Sequence, residues 1–146
     1  MKPVDFTYNR PSNLADAFEL LQQDGDGGAS MVIAGGQSLM PMLNLRLVRP
    51  TALVDLRHLD ELRQLRDDGD SLIYGAGITH AMIEDGFVPD ATPGWLSSIA
   101  GAIAYRAVRN RGTIGGSLAH ADPAADWLSA LTALGGEVQL LSLIHI

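Results

Sequence analysis

The feature that most constrains this chain is a pair of adjacent glycines at the end of an unbroken apolar run. Met31-Val-Ile-Ala34 leads directly into Gly35-Gly36 and then Gln37-Ser38. Apolar residues without alternation predict a strand buried on both faces, as in a parallel sheet. Glycines after such a strand can take left-handed backbone angles and let another group approach the main chain closely. Successive N–H groups can then converge in a concave nest that favours an anion, and a neighbouring Gln or Ser adds side-chain donors. Thr113-Ile-Gly-Gly-Ser117 repeats the pattern, with Arg106, Arg109 and Arg111 just upstream. These arginines can serve phosphates, a partner surface or only solvent. A glycine pair after a strand is also an ordinary turn, so the pairs alone name no ligand. Neither is the G-x-G-x-x-G fingerprint, and no G-x-x-x-x-G-K-[ST] loop occurs.

The residues before and after the first pair predict a small α/β unit. Asp5-Phe-Thr-Tyr8 reads as a short strand. Ser12 is placed to N-cap a helix carrying Leu14, Ala17, Phe18 and Leu21 on one stripe. That helix is expected to end in the Asp/Gly turn at 24–28. Leu39 to Leu47 predicts a short helix or turn interrupted at Pro41, and Ala52-Leu-Val54, closed by Asp55, a further strand. Residues 1–56 thus read β-α-β-turn-β.

The texture then changes. Leu62–Leu65 and Leu72–Tyr74 flank Asp67-Asp-Gly-Asp70 as a hairpin, and Thr79 can cap a helix from His80 to Glu84. Trp95, Ile99, Ala102 and Ile103 predict a helical face; Arg106 to Gly112 reads as irregular. Asp122, with Pro123 after it, predicts the start of a helix bearing Trp127, Leu128, Leu131 and Leu134, and Glu137 to Leu140 a strand. Trp95 and Trp127 are expected in the core. The closing Leu141-Ser-Leu-Ile-His-Ile146 resembles a translated sequencing adapter, so 141–146 is read as a non-native tail; a natural strand end is the alternative.

Composition narrows the function. With 47% hydrophobic and 18% charged residues the chain is globular. A net charge of −7 argues against nucleic acid and anionic membrane. Without cysteine it forms no disulfide and offers no thiolate to an iron–sulfur cluster, and the four histidines show no zinc spacing. No apolar run reaches spanning length, and a cytoplasmic location is expected.

Two longer stretches carry a resemblance. Ala34-Gly-Gly-Gln-Ser-Leu-Met-Pro-Met-Leu-Asn-Leu-Arg-Leu47 and Val108-Arg-Asn-Arg-Gly-Thr-Ile-Gly-Gly-Ser-Leu-Ala-His-Ala-Asp-Pro-Ala-Ala-Asp126 resemble the flavoprotein (medium) subunit of molybdenum hydroxylases. That family includes aerobic carbon monoxide dehydrogenase and bacterial xanthine dehydrogenases, and the resemblance spans residues 3–140. It implies an α+β chain with the FAD-binding fold of p-cresol methylhydroxylase and vanillyl-alcohol oxidase. Residues 1–56 would be the first α/β subdomain and 57–140 the first part of the second. Family members are about twice as long, which implies C-terminal truncation; residues 1–146 alone are then expected to be poorly soluble and to bind flavin weakly.

The resemblance also implies site residues. Ala34, Gly35, Gly36, Gln37 and Ser38, with Thr113, Ile114, Gly115, Gly116 and Ser117, would hold the FAD diphosphate from two sides. Ile103 would pack on the cofactor. Asp126 would accept from cofactor hydroxyls, or serve only as an acid in a helix's first turn. Many relatives have His at position 37 and Asn at 117; Gln and Ser keep the hydrogen bonding. His120 is read as structural, with packing near the adenosine side of the cofactor as the alternative, and not as catalytic. No catalytic base, nucleophile or metal ligand is expected. The implied role is electron transfer from the [2Fe–2S] clusters of a small subunit, beside a molybdenum-binding large subunit, to an outside acceptor, in a dimer of heterotrimers. A stand-alone flavin oxidoreductase and a degenerate non-enzymatic subunit are the alternatives.

Overall fold

The computed structural model describes residues 2–22 and 29–141. The first three strands form one parallel sheet in the order β1-β3-β2: β1 is Thr7–Asn9, β2 Ser30–Ile33 and β3 Ala52–Asp55. Helix α1, Leu14–Gln22, crosses from β1 to β2, and α2, Leu39–Asn44, from β2 to β3. Alternation along β3 sends Val54 towards α1, with Ala17, Leu59 and Leu62, and Leu53 towards α2, with Ile33 and Leu43. Each of the buried Val, Leu and Ile side chains contributes roughly 1.5–3 kcal/mol of transfer free energy. Leu59 and Leu62, from the stretch around the 3-10 turn Asp60–Arg63, still pack on this sheet.

Local details differ from expectation. Asn13 rather than Ser12 caps α1, its Oδ1 accepting from the Asp16 amide at 2.8 Å, while Ser12 donates to the Asp16 carboxylate. Pro41 does not interrupt α2: it sits in the first turn, where a missing N–H leaves no intrahelical bond unmade. The 24–28 turn lies outside the described residues.

The second part opens with the antiparallel hairpin β4, Leu65–Asp67, and β5, Leu72–Tyr74. Helices follow: α3 His80–Glu84, α4 Trp95–Ala102, α5 Arg106–Arg109, α6 Ile114–His120 and α7 Asp126–Ala133. Thr79 caps α3 as expected, accepting from Met82 at 3.2 Å. Their shared core is Ile78, Ile83, Val88, Leu96, Ala100, Ile114, Trp127 and Ala130. In α4 the buried positions are Leu96 and Ala100, so Trp95 is 41% exposed, against expectation. Arg106–Arg109 is helical because ion pairs hold it to α3. Asp122 caps a turn, accepting from Ala124, and the last helix starts only at Asp126. Glu137–Leu140 is not a strand; among the described residues no strand lies beside it to pair with, and Leu140 is 86% exposed.

One polar pair sits inside the second core. Trp127 Nε1–H donates to Nδ1 of buried His80 at 3.1 Å, which requires a neutral imidazole. Burial pushes the His80 pKa down to about 4; the charge of Arg109 adds to this and that of Asp126 opposes it. The unfolded chain therefore binds more protons than the folded one between about pH 6.5 and 4. Stability is full above that window and is lost as pH falls through it. Denaturant midpoints should show about 2 kcal/mol lost from this group between pH 7 and pH 5. In His80→Asn, whose amide oxygen can take the same bond without titrating, that slope should vanish.

Candidate functional site

The carboxyl ends of β2 and β3 lie side by side, with Ile33 in register with Asp55. Chain leaving such an edge meets a crevice rather than more sheet. Ala34 to Gln37 turns there, with Gly36 at φ +71°, an angle that L side chains rarely adopt. The turn borders a cleft of about 690 Å³. Phe6, Ile33 and Leu53 give it an apolar lining, Met40 and Pro41 of α2 close one side, and Tyr105, Val108 and Arg111 face them from the second part.

Five consecutive amides at this turn, those of Gly35, Gly36, Gln37, Ser38 and Leu39, donate to no protein acceptor among the described residues. Gln37 is partly turned inward, its Nε2 donating to the Gly35 carbonyl at 3.0 Å. The Ser38 hydroxyl makes no cap bond to α2.

The second glycine pair is not a loop. Thr113 is an N-cap, its Oγ1 accepting from Gly116 at 3.0 Å, and Gly115 and Gly116 lie in the first turn of α6. Their backbone angles are not left-handed. The amides here are engaged inside the protein: Ile114 donates to Ile78, Gly115 to Ala76, and Ser117 to Thr113. Glycine is needed for packing instead. A Cβ on Gly115 would stand 2.7 Å from Ala76 Cα.

The two glycine pairs nevertheless meet. A Cβ on Gly35 would penetrate the Arg111 carbonyl and stand 2.7 Å from Gly112 Cα, and one on Gly116 would stand 3.6 Å from Ala34 Cβ. Ala34, Gly35, Gly36 and Gln37 line the cleft; Thr113 to Ser117 lie behind its junction. Ile103 ends α4, packed against the second core, and Asp126 is exposed at the start of α7; neither lines the cleft. His120 is exposed in the last turn of α6.

Two of the three arginines are committed. Arg109 holds Glu84 through Nε at 2.8 Å and Nη2 at 3.0 Å, and its Nη1 donates to the carbonyls of Ile103 and Ala104. Arg106 pairs with Glu84 and Asp85. The hydrogen bond from Arg109 leads in holding the Glu84 carboxyl below its ordinary value. Arg111 forms no ion pair among the described residues and lines the cleft.

Sequence reasoning missed one cluster. Buried Asp55 accepts from the Tyr8 hydroxyl and from Arg57, through Nε at 3.0 Å and Nη2 at 2.7 Å. Burial works against its charge, but the bonds from Arg57 and Tyr8 prevail and hold the carboxyl well below the usual range. The available signal was an acid ending an apolar strand with Arg two residues on.

Residues 4–144 match the family described as the FAD binding domain in molybdopterin dehydrogenase. Caffeine dehydrogenase subunit beta of Pseudomonas sp. strain CBB1 is 37% identical, over 94% of this chain and 46% of that protein. The nicotine 6-hydroxylase medium subunit of Paenarthrobacter nicotinovorans is 39% identical, over 97% and 49%. A solved carbon monoxide dehydrogenase from Hydrogenophaga pseudoflava superposes with a TM-score of 0.78 at 39% identity, over 87% of this chain and 44% of that one. The chain thus spans about half the length of the curated relatives it matches.

The junction yields a contrast between two glycines. Gly35→Ala should destabilise by about 1–3 kcal/mol, because the main chain it strikes has nowhere cheap to move. Gly101→Ala, inside α4 and at an ordinary 3.6 Å from Glu84, should gain about 0.5–1 kcal/mol of helix propensity. Urea midpoints of the two variants check this.

Proposed function

This chain belongs to the family of FAD-binding domains in molybdopterin dehydrogenases, and from that premise we propose that it is the flavin-holding, electron-transfer part of a molybdenum-containing hydroxylase or dehydrogenase. The carrying observation is the run of five amides at the end of β2 with no protein acceptor among the described residues, of which those of Gly35, Gly36 and Gln37 belong to residues lining a cleft with an apolar strip. These groups fit a flavin dinucleotide. Converging N–H donors suit a diphosphate, left-handed Gly36 keeps side-chain bulk off the turn, and the apolar strip suits an aromatic ring system.

Ala34, Gly35, Gly36, Gln37 and Ser38 would hold the diphosphate. Thr113, Ile114, Gly115, Gly116 and Ser117 support that turn from behind, Gly116 lying against Ala34. Since the amides of Ile114 to Ser117 are engaged inside the protein, any contact from this segment would use side chains or C–H groups. Ile103 and Asp126 would act on parts of the cofactor beyond the cleft, Asp126 by accepting from hydroxyls.

When bound, FAD supplies the redox chemistry, and the protein supplies its position and electrostatic surroundings. No residue of this chain is assigned as catalytic base or nucleophile. Electrons would arrive from [2Fe–2S] clusters of a small subunit beside a molybdenum-binding large subunit, and leave to a quinone, NAD or another acceptor. The relatives' names as medium or complex subunits support a multi-subunit assembly; its form as a dimer of heterotrimers is part of the proposal. The cysteine-free sequence fits clusters held by a partner. A cytoplasmic location for the complex is part of the proposal. Separately, no described helix is long and apolar enough to cross a membrane.

Full-length protein carrying this sequence should purify yellow and release non-covalent FAD on denaturation. Gly36→Val should lower FAD affinity by at least tenfold, because the side chain disfavours the left-handed angle and crowds the turn. A colourless full-length preparation with no flavin on denaturation would overturn the reading.

A further inference from the structure

We propose that Arg57 is a ligand-contacting residue of this cleft, donating to an anionic oxygen of the diphosphate from a guanidinium fixed in advance by Asp55 and Tyr8. The proposal rests on the flavin reading above. It starts from register: Ile33 is level with Asp55 on adjacent parallel strands, so Gly35 and Arg57 leave the same edge of the sheet two residues later. Both line the cleft.

The guanidinium is divided between two tasks. Its Nε and Nη2 donate to Asp55, and Nη2 also donates to the Tyr8 hydroxyl at 3.0 Å. Nη1 has no protein acceptor among the described residues. The Asp55 side chain is fully buried, whereas that of Arg57 keeps 34% exposure. One edge of the planar fork is thus anchored in protein while the rest stays open to the cleft.

Neutralising Asp55 does not explain this arrangement. A buried ion pair is weak as a stabilising device, since well-packed apolar residues often do as well. Asp55 and Tyr8 instead hold a long side chain in one rotamer, so little freedom is lost when a ligand oxygen takes the free donors. Lysine could not do both jobs, because it lacks a rigid fork with two usable edges. Asp55 offsets much of the positive charge, so the contribution is a directed hydrogen bond more than a field.

The test compares FAD binding to flavin-stripped full-length protein in wild type, Arg57→Lys and the double variant Asp55→Asn/Arg57→Gln. The double variant leaves no orphaned buried charge if Arg57→Lys folds poorly. Both variants should bind FAD about 10–100-fold more weakly, the size expected for a charge-assisted hydrogen bond. The 31P resonances of the FAD that still binds should move from their wild-type positions. Affinity within about threefold of wild type, or weaker binding with unmoved 31P resonances, would overturn the assignment and leave Arg57 a fold residue. Wild-type protein that takes up no FAD would instead defeat the flavin reading, and this proposal with it.

Discussion

The two parts of this protein are joined by main chain against main chain, and that contact requires a position with no side chain. Gly35 lies on the Arg111 carbonyl and on Gly112 Cα, where any Cβ would overlap them. Gly112 is itself pressed against the His80 ring, only 2.8 Å from where its own Cβ would stand, and His80 takes the indole proton of Trp127. A line of close packing therefore runs from the first glycine turn into the middle of the second core. Interiors packed at this density transmit displacement rather than absorb it. The turn bordering the cleft is held by the second core as much as by the strand it ends.

The two glycine pairs look alike in sequence and do different physical work. The first leaves its amides available and uses a left-handed angle; the second is helical, its amides closed on Ala76, Thr113 and Ile78. Glycine costs about 1 kcal/mol relative to alanine inside a helix. Two in one turn argue against a helix on propensity alone. The contact with Ala76, which only glycine permits, overrides that preference. Thr113 carried the cap signal in plain view, but its meaning depended on a segment 37 residues earlier in the chain.

What was legible in the chain was local. Apolar runs marked β2 and β3, the glycine pair marked the turn between β2 and α2, and Thr79 marked the start of α3. What was not legible depended on partners remote in sequence. Arg106 and Arg109 read as part of an irregular stretch open to phosphates, a partner or solvent, yet their carboxylates lie 21 to 25 residues away on and beside α3. Tyr8, Asp55 and Arg57 become one cluster only once β1 and β3 are neighbours. Trp95 failed as a core residue because the helical face turns on Leu96 and Ala100 instead.

The hydrogen bonds of Arg109 to the carbonyls of Ile103 and Ala104 span the link between α4 and α5, where Ala104 adopts φ +43°. A residue without glycine's freedom stays in such a conformation only if its surroundings over-determine it. Here the restraint is anchored on Glu84, and just downstream of the link come Tyr105, Val108 and Arg111. The far wall of the cleft thus hangs from a bent hinge whose setting is dictated by a carboxylate that never borders the cleft itself.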